Sequence, residues 1–360
     1  MKKIVFSLFL LTATLSFSQA VIPFVDFNRW FRTVENGEFK FIELQEIKGY
    51  KAGDNVVAYL DIRGNLRVYD GKERQDISNM NLEYQISDNM VGWNIGTTLG
   101  MWRGGKTKTL SFFGGQYIVK DDIIVFMDTR YNSMLVHWNG VEYPLQTSTT
   151  DLFLTNSGKI GENIMAFADN GGLYKIFYKG NTTEVGVWNG DIDFKSGTDI
   201  VAFNDPTTRT FAVFDKGNFV DVEDQWVKSY KAGRGFVVYE DVGGNLMVYR
   251  NGQKSQLSSF PGKWDVVDDI VVYENNGFTY CDVNGTAVQA ANFKLTEYKI
   301  KNATLVYRNM IGGVSAVIDG QVIELTNLQN AEFEIYGNSV LVKLPNNAFL
   351  VYQKGKILRV

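Results

Sequence analysis

One phrase recurs along the chain and constrains its fold more than any other feature. The clearest copy, at 236–258, reads as an apolar strand, a glycine-containing turn, a second apolar strand, an Asn-Gly turn and a polar strand. A glycine late in each copy keeps step with the residue that ends the first strand, from Gly37 to Gly355. Because these two markers recur together ten times, they predict a true structural repeat. The aligned strand-ending residues, 32 to 41 residues apart, are Phe27, Tyr59, Trp93, Phe126, Phe167, Phe203, Tyr239, Tyr273, Tyr307 and Lys343.

Each unit is predicted to hold four short strands, which we name A to D. In the unit around Tyr239 they fall at 228–232, 236–239, 246–249 and 254–258. Asn-Gly or Asp-Gly pairs recur between C and D, where a two-residue hairpin turn needs positive φ. Strands B and C are apolar on both faces, which indicates that both faces are covered. The D strands are polar or charged, as exposed sheet edges are, so D is expected at the outer rim.

This pattern resembles β-propeller repeats in general, from Val21 to Val360, without the signature of a named propeller family. The resemblance implies an all-β protein, a propeller of about ten four-stranded antiparallel units of ~35 residues. Two smaller propellers in tandem are the alternative, because the Thr/Ser-rich stretch at 146–159 is either a loop excursion or a joint between two rings. We favour one ring. The first unit has little sequence before Phe24 for a strand A, so closure is expected from face packing or from Val21 and Ile22 as a short inner strand.

The N-terminus reads as a secretory signal peptide. Lys2 and Lys3 precede an apolar run at 4–15, and Ser18-Gln19-Ala20 supplies the small residues of a cleavage site. We therefore assign 1–20 to the signal peptide and 21–360 to the propeller, and expect a periplasmic, cell-surface or secreted protein. No later stretch is apolar enough to span a membrane. Removing the peptide moves the formal net charge from −4 to −6, which argues against a nucleic-acid partner.

The sequence offers little for catalysis. Cys281 and His137 are the only cysteine and histidine, which excludes an internal disulfide and His/Cys zinc sites and leaves a catalytic triad without support. Cys281 is interpreted as a small buried hydrophobic residue. We predict no catalytic residues, no metal site and no cofactor.

Two sets of acidic residues recur with the repeat. Such recurrence favours turn-making Asp and Asn side chains over a glycosidase, which needs one close pair of carboxylates. The first set follows strand B, at Asp61, Asp128, Asp169, Asp205 and Asp241. The second lies at the A–B turn, at Asp54, Asp88, Asp122, Glu162, Asp199 and Asp269.

Three tryptophans form the candidate ligand site. Trp188, Trp226 and Trp264 fall in or near the D–A connections of consecutive units, each 38 residues from the next. An arc of flat side chains on one face suits stacking on sugar rings or anchoring a protein. The competing interpretation is that they fill the space between neighbouring blades. Lys343 replaces the aromatic residue of the last unit, so it is expected at a less enclosed closure seam.

Together these observations predict an exported, non-catalytic binding or scaffold protein of the cell envelope or exterior. Its partner would be a protein or a glycan on a loop face. Two alternatives stay open at this point. One is a lectin-like propeller that uses the three tryptophans, and the other is a glycan-cleaving propeller that uses paired carboxylates.

Overall fold

The computed structural model describes residues 20–35, 37–80, 82–145, 147 and 159–359, which form ten antiparallel sheets. Apart from Ala20, the predicted signal peptide lies outside the described residues, as does most of the 146–159 stretch. No helix in the described part of the chain has the length and apolar character to cross a bilayer.

The strands of blades 1 to 5 are β1 (Ile22–Val25), β2 (Phe31–Glu35) and β3 (Glu38–Glu43); β4 (Gly49–Ala52), β5 (Val57–Leu60), β6 (Leu66–Tyr69) and β7 (Arg74–Ser78); β8 (Tyr84–Ile86), β9 (Met90–Ile95), β10 (Thr98–Arg103) and β11 (Lys106–Ser111); β12 (Gly114–Lys120), β13 (Ile123–Asp128), β14 (Ser133–Trp138) and β15 (Val141–Pro144); β16 (Ile164–Ala168), β17 (Leu173–Tyr178) and β18 (Asn181–Val187).

The strands of blades 6 to 10 are β19 (Lys195–Ser196), β20 (Ile200–Asn204), β21 (Phe211–Asp215) and β22 (Asn218–Glu223); β23 (Ser229–Ala232), β24 (Phe236–Glu240), β25 (Asn245–Arg250) and β26 (Gln253–Ser259); β27 (Trp264–Val267), β28 (Ile270–Asn275), β29 (Phe278–Val283) and β30 (Thr286–Ala291); β31 (Tyr298–Lys301), β32 (Thr304–Arg308), β33 (Val314–Ile318) and β34 (Gln321–Thr326); β35 (Glu332–Tyr336), β36 (Ser339–Lys343), β37 (Phe349–Gln353) and β38 (Lys356–Arg359).

Each four-stranded blade is a meander in which neighbouring strands pair antiparallel in chain order, as the A-to-D pattern predicts. Blades 1 and 5 have three strands each within the described residues, and both lack strand A. The predicted hairpin turns are confirmed at the described C–D positions other than Asp70-Gly71, because the residue before the glycine has positive φ there, as at Asn139 (48°) and Asn284 (51°). Asparagine and glycine adopt this conformation at low cost, and it matches the twist of the flanking strands.

Ten separate hydrophobic clusters hold the blades together, and each cluster lies between two neighbouring blades. One joins blade 4 to blade 5, across the 146–159 stretch, through Val136, Leu145 and Phe167. Another joins blade 10 to blade 1, where the Phe24 and Phe349 rings lie 4.8 Å apart. The blades therefore form one closed ring of ten, and two propellers in tandem are not needed. Closure is by face packing.

The structure corrects the alignment of the first and last units. Phe24 is 1% exposed and occupies the buried position of Tyr59, whereas Phe27 lies three residues further on in a turn and is 78% exposed. Val21 is buried beside β1 and Ile22 begins that strand, which is strand B, so neither forms an inner strand. In blade 10 the buried position belongs to Val342, and Lys343 lies one residue later, exposed, 3.7 Å from Glu332. The alignment was therefore off by one residue, and Lys343 does not replace a buried side chain.

Candidate functional site: two unlike faces of the ring

The meander fixes which loops share a face of the ring. A–B and C–D turns leave from one end of the strands, and B–C turns and D–A connections leave from the other. We call the first the polar face and the second the apolar face, because the side chains on the two differ sharply.

The apolar face carries most of the exposed large hydrophobic side chains. They lie in B–C turns and D–A connections or directly beside them, at Phe27, Trp30, Leu44, Ile62, Met80, Phe112, Phe113, Tyr131, Val187, Trp188, Trp226, Val242, Phe260, Phe278, Met310, Ile311 and Leu328. The others lie on outermost strands, at Phe41, Val141, Phe219, Val322 and Ile357. Among the residues that the structure describes, none lies in an A–B or C–D turn, and only Val141 lies directly beside one.

The hydrophobic tips are presented by rigid turns. Asp61 follows strand B, and its Oδ1 accepts hydrogen bonds from the Arg63 and Asn65 amides, each at 2.9 Å. Burial alone would raise the pKa of Asp61, but these bonds and one from Arg67 lower it to about 2. Ile62 is thereby held outward at the tip of the turn. The first acidic set makes turns of this kind at its other members as well, Asp128, Asp169, Asp205 and Asp241. The turn-making interpretation of these residues agrees with this geometry.

The best-formed patch on this face lies between blades 3 and 4. Phe112 and Phe113 connect these blades, and the Thr129 amide donates to the Phe113 carbonyl at 2.7 Å. The guanidinium of Arg130 lies 5.0 Å from the Phe113 ring centre and 4.2 Å from that of Tyr131. Phe112 and Tyr131 are each about two-thirds exposed, at 69% and 68%.

The polar face is organised by a belt of hydrogen-bonded residues at the A–B turns. The Asp54 amide donates to Asp88 Oδ1 at 3.1 Å, and the Asp88 amide donates to Asp121 Oδ1 at 2.6 Å. The Asp121 and Glu162 carboxyls share a hydrogen bond, and Thr198 Oγ1 donates to Glu162 Oε2 at 2.7 Å. Four consecutive blades therefore contribute one acidic side chain each, from Asp54 in blade 2 to Glu162 in blade 5.

Basic and amide side chains complete the belt from the opposite side of the ring. Lys301, in blade 9, places Nζ 2.6 Å from Asp54 Oδ1 and 2.9 Å from Asp88 Oδ1. Asn302 Nδ2 donates to Asp54 Oδ2 at 2.7 Å. Arg234, in blade 7, lies 2.7 Å from Asp269 and 3.8 Å from Glu162. Except for Arg234 with Asp269 of the next blade, these contacts join blades that are not neighbours, so the belt crosses the centre of the ring.

Burial and crowding perturb the acidity of the belt. Burial opposes ionisation of Asp54, yet the Lys301 ammonium lowers its pKa overall. Burial and the nearby Asp121 carboxyl raise the pKa of Asp88. Burial and the hydrogen bond to Glu162 raise the pKa of Asp121 to about 8. Asp121 therefore carries a proton near neutral pH, as a carboxyl beside another carboxyl does.

The direct contact between Asp121 and Glu162 bears on the glycosidase alternative. Retaining glycosidases hold their two carboxyls about 5 Å apart and inverting enzymes hold them further apart, so that the sugar fits between. Here the two carboxyls bond to each other, and the remaining acids of the belt bond to Lys301, Arg234 and main-chain amides. The belt therefore resembles a structural network more than an acid–base pair.

The comparisons with known proteins agree with the architecture. Residues 15–358 match the family of the 10-bladed beta propeller domain. The chain belongs to this family. No curated protein matches it. Among solved structures, the computationally designed Ika8 protein is 16% identical, with 85% of this chain and 98% of that one covered and a TM-score of 0.33.

Two natural structures show similarly remote likenesses to this propeller. The tricorn protease is 9% identical, with 92% of this chain and 46% of that one covered and a TM-score of 0.30. Hsv2 of Kluyvelomyces marxianus is 8% identical, with 87% and 96% covered and a TM-score of 0.30. At these values the likenesses carry no argument about function.

The structure separates the three tryptophans of the predicted ligand site. Trp188 and Trp226 are 43% and 48% exposed on the apolar face of the propeller, and Trp226 Nε1 donates to the Asp205 carbonyl at 2.8 Å. Trp264 instead begins β27, packs against the cluster between blades 7 and 8, and has Lys231 Nζ 5.4 Å from its ring centre. Two of the three tryptophans are therefore exposed on one face, and the third packs between blades.

The only cysteine and the only histidine of the chain are both buried. Cys281 is fully buried, and burial raises its pKa to about 12. His137 is buried, and its Nδ1 lies 3.0 Å from Glu142 Oε1. Within the described ranges, no group of three or more His, Cys, Asp or Glu side chains is arranged to hold a metal ion.

The sequence pattern predicts only part of the belt. Asp54, Asp88, Glu162 and Asp269 belong to it as the A–B turn pattern suggests. At two turns the residue that belongs to the belt lies one position before the predicted one. Asp121 and Thr198 take part, whereas the predicted Asp122 pairs with Arg103 and the predicted Asp199 pairs with Lys179. Lys301 was not predicted. A basic residue at the A–B turn among acidic homologous positions was the available signal.

Proposed function

We propose that this propeller is an exported, non-catalytic binding or scaffold protein of the cell envelope or exterior, whose partner docks on the apolar face. The segregation of exposed large hydrophobic side chains onto that face carries the proposal. Monomeric proteins seldom expose many apolar side chains on one surface unless it contacts another molecule. Aromatic residues with arginine between them, as at Phe113, Arg130 and Tyr131, are also the residue types enriched at protein interfaces.

Site-specific cross-linking in the source organism tests this proposal. A photoreactive amino acid replaces Phe112 on the apolar face or, as the matched control, Lys72 in a C–D turn of the polar face. We expect a discrete protein adduct from position 112 and none from position 72. Equal labelling at both positions, or none at 112, would contradict docking on the apolar face.

Export rests on the N-terminal sequence alone and has its own test. We expect the protein in the periplasmic, surface or secreted fraction with its N-terminus at or near Gln19 or Val21, which N-terminal sequencing reads directly. Recovery of the intact chain from the cytosol would exclude it. Incubating the protein with a panel of polysaccharides tests the proposal that it is non-catalytic. Release of reducing sugar would contradict that proposal.

Carbohydrate binding is the second candidate, and the exposure of Trp188 and Trp226 on the same face favours it. Trp188→Ala and Trp226→Ala are expected to cost less than about 1 kcal/mol of stability each, because each ring is nearly half exposed. Trp264→Ala is expected to cost about 2–3 kcal/mol, because its ring packs between blades. A glycan array read with wild type and the first two variants decides the question. Binding that survives both substitutions, or no binding at all, would remove this candidate.

A further inference from the structure

Blade 1 leaves a slot in the ring where other blades hold their innermost strand. Within the described chain its sheet begins at β1, so the inward edge of β1 has no strand beside it. Eight other blades have a strand A at this place. A cavity of about 290 Å³ lies there, between β35 of blade 10 and β4 of blade 2, and is open to solvent.

The main chain of β1 presents hydrogen-bonding groups to this slot. In blade 2, Lys51 of strand A pairs with Ala58, and Gly53 N donates to Val56 O at 2.9 Å. Because facing groups alternate along a strand, Ala58 and Leu60 direct their main-chain groups towards strand A. Phe24 lies 35 residues before Tyr59 and takes the equivalent position in blade 1. Pro23 and Val25 therefore correspond to Ala58 and Leu60, and their main-chain groups point into the slot. The slot therefore offers two carbonyl acceptors and one N–H donor.

Tyr50 already contacts this edge, but the contact does not exclude a strand. Its hydroxyl donates to the Pro23 carbonyl at 3.4 Å. In the next interface Tyr84 donates to the Ala58 carbonyl at 3.0 Å while Ala58 also pairs with strand A. A carbonyl oxygen has two lone pairs and accepts both. The Tyr50 and Tyr336 hydroxyls also interact with each other across the gap, and an incoming strand would separate them.

The walls of the slot select for apolar side chains. Phe24, Phe333, Leu341 and Phe349 line it, with charged groups such as Glu332 at its rim. The slot opens on the apolar face, since Val25, Glu332 and Phe349 lie at that end of their strands. It therefore belongs to the surface for which partner docking is proposed above.

We propose that this slot binds an extended segment of a partner protein, which adds to β1 as the fourth strand of blade 1. The inference rests on the proposed binding function and names the form that the partner takes. Main-chain acceptors beside an apolar slot fit a peptide strand with apolar side chains at alternate positions. A lipid chain has no donors for these acceptors, and a glycan has no apolar side chains at alternate positions to fill the slot. Among its described residues, a second copy of the ring has no strand outside a sheet to offer.

The chain's own sequence supplies a probe with the right pattern. The repeat step assigns 14–17, Thr-Leu-Ser-Phe, to the register of Gly49–Ala52, with Leu and Phe at alternate positions. These residues lie outside the described part of the chain and within the predicted signal peptide. A fluorescent peptide of residues 13–18 is therefore titrated into the exported, processed protein, and binding is followed by anisotropy. We expect saturable binding.

Backbone methylation separates strand addition from simple hydrophobic contact. The amides of Thr14 and Ser16 would donate to Val25 and Pro23, so N-methylation at both is expected to weaken binding about tenfold or more. The matched peptide, N-methylated at Leu15 and Phe17, is expected to bind within about twofold of the parent because those amides face away from β1. Equal binding of the two methylated peptides, or no binding of the parent at about 1 mM, would overturn the proposal.

Two further forms of the protein test where the peptide binds and separate strand addition at the slot from the proposed docking on the apolar face. A chain that keeps residues 13–20 is expected to bind the peptide more weakly than the processed chain does, because its tethered segment has the sequence of the probe and competes for the slot. Equal binding by the two chains would mean that the peptide binds elsewhere and would overturn the proposal. The doubly substituted protein Phe112→Ser/Tyr131→Ser, which carries the photoreactive amino acid at Met80 of the same face instead, is expected to bind the peptide normally while losing the cross-linked partner. Peptide binding without any partner adduct at position 112 would count against docking on the face but not against the slot.

Discussion

The two faces of the ring are built from the same repeat, but their side chains make different contacts. Side chains on the polar face bond to each other across the ring, from Lys301 in blade 9 to Asp54 and Asp88 in blades 2 and 3. Side chains at the tips of the apolar face, such as Phe112 and Tyr131, project into solvent. The polar face is thus used for cohesion of the ring. The exposed side chains of the apolar face form the surface on which we propose that a partner docks, and the difference can be tested by substitution on each side.

The largest loss of stability is expected from removing the cation of the belt. Lys301→Met leaves the Asp54 and Asp88 carboxylates partly buried without their counter-charge, which is expected to cost about 3 kcal/mol at neutral pH. Urea unfolding measures the change. Lys299→Met on the same strand is the matched control, because Lys299 is exposed and is expected to change stability by less than about 0.5 kcal/mol. If both variants lose the same small amount, the belt does not hold the ring together.

A smaller, pH-dependent effect is expected at Asp121. Its pKa is raised in the folded protein to about 8, so the folded state holds a proton that the unfolded state has released above pH ~4. Its contribution to stability is therefore complete at low pH and is lost as the pH rises towards 8. Asp121→Asn keeps the acceptor for the Asp88 amide and removes the titration.

The measurement is the difference in unfolding free energy between pH 5 and pH 8. Wild type is expected to lose stability over this window, and Asp121→Asn is expected to lose less. Asp122→Asn, at the neighbouring residue that pairs with Arg103 outside the belt, is expected to follow wild type. An unchanged slope in the Asp121 variant would show that its proton is not retained on folding.

The smallest effect on stability is expected on the apolar face. Phe112→Ser/Tyr131→Ser is expected to change the free energy of unfolding by no more than about 0.5 kcal/mol per site, because both rings are mostly exposed. Cross-linking of the partner from a photoreactive amino acid at Met80, on the same face, is expected to be lost in the same variant. Lys72→Ser on the polar face serves as the control for both measurements. A large destabilisation from the double substitution would assign these rings to the fold instead of to binding.

The repeat predicted the ring closely where its signals were local. Asn139-Gly140 and the other C–D pairs require positive φ, and the alternation of the D strands reports an exposed edge, so both can be seen within a few residues. The ends of the series were harder. Phe27 and Lys343 were aligned by spacing from neighbouring units, whereas strand pairing assigns the buried positions to Phe24 and Val342. Burial depends on the register with the partner strand, and a shift of one residue exchanges the two faces of a strand.

The candidate sites depended still more on distant parts of the chain. The acidic positions of the A–B turns were visible in the repeat, but Lys301 meets Asp88 from 213 residues away and Asn302 meets Asp54 from 248 residues away. No local pattern encodes such a meeting. The three tryptophans share one spacing, yet Trp264 packs between blades while Trp188 and Trp226 stay exposed. Equal spacing places residues on equivalent blades, but the local path of each connection decides their exposure.

The sequence by itself determined the unit of this protein: a four-stranded hairpin meander, repeated ten times, with an apolar body and a polar rim. It did so because strand period, turn residues and edge charges act over a few residues. Only the tertiary structure decided how the units meet. Closure by Phe24 against Phe349, the belt across the centre, the collection of hydrophobic tips on one face and the slot beside β1 all arise from bringing distant blades together. A ring juxtaposes its first and last units, and that proximity exists in space and not along the chain.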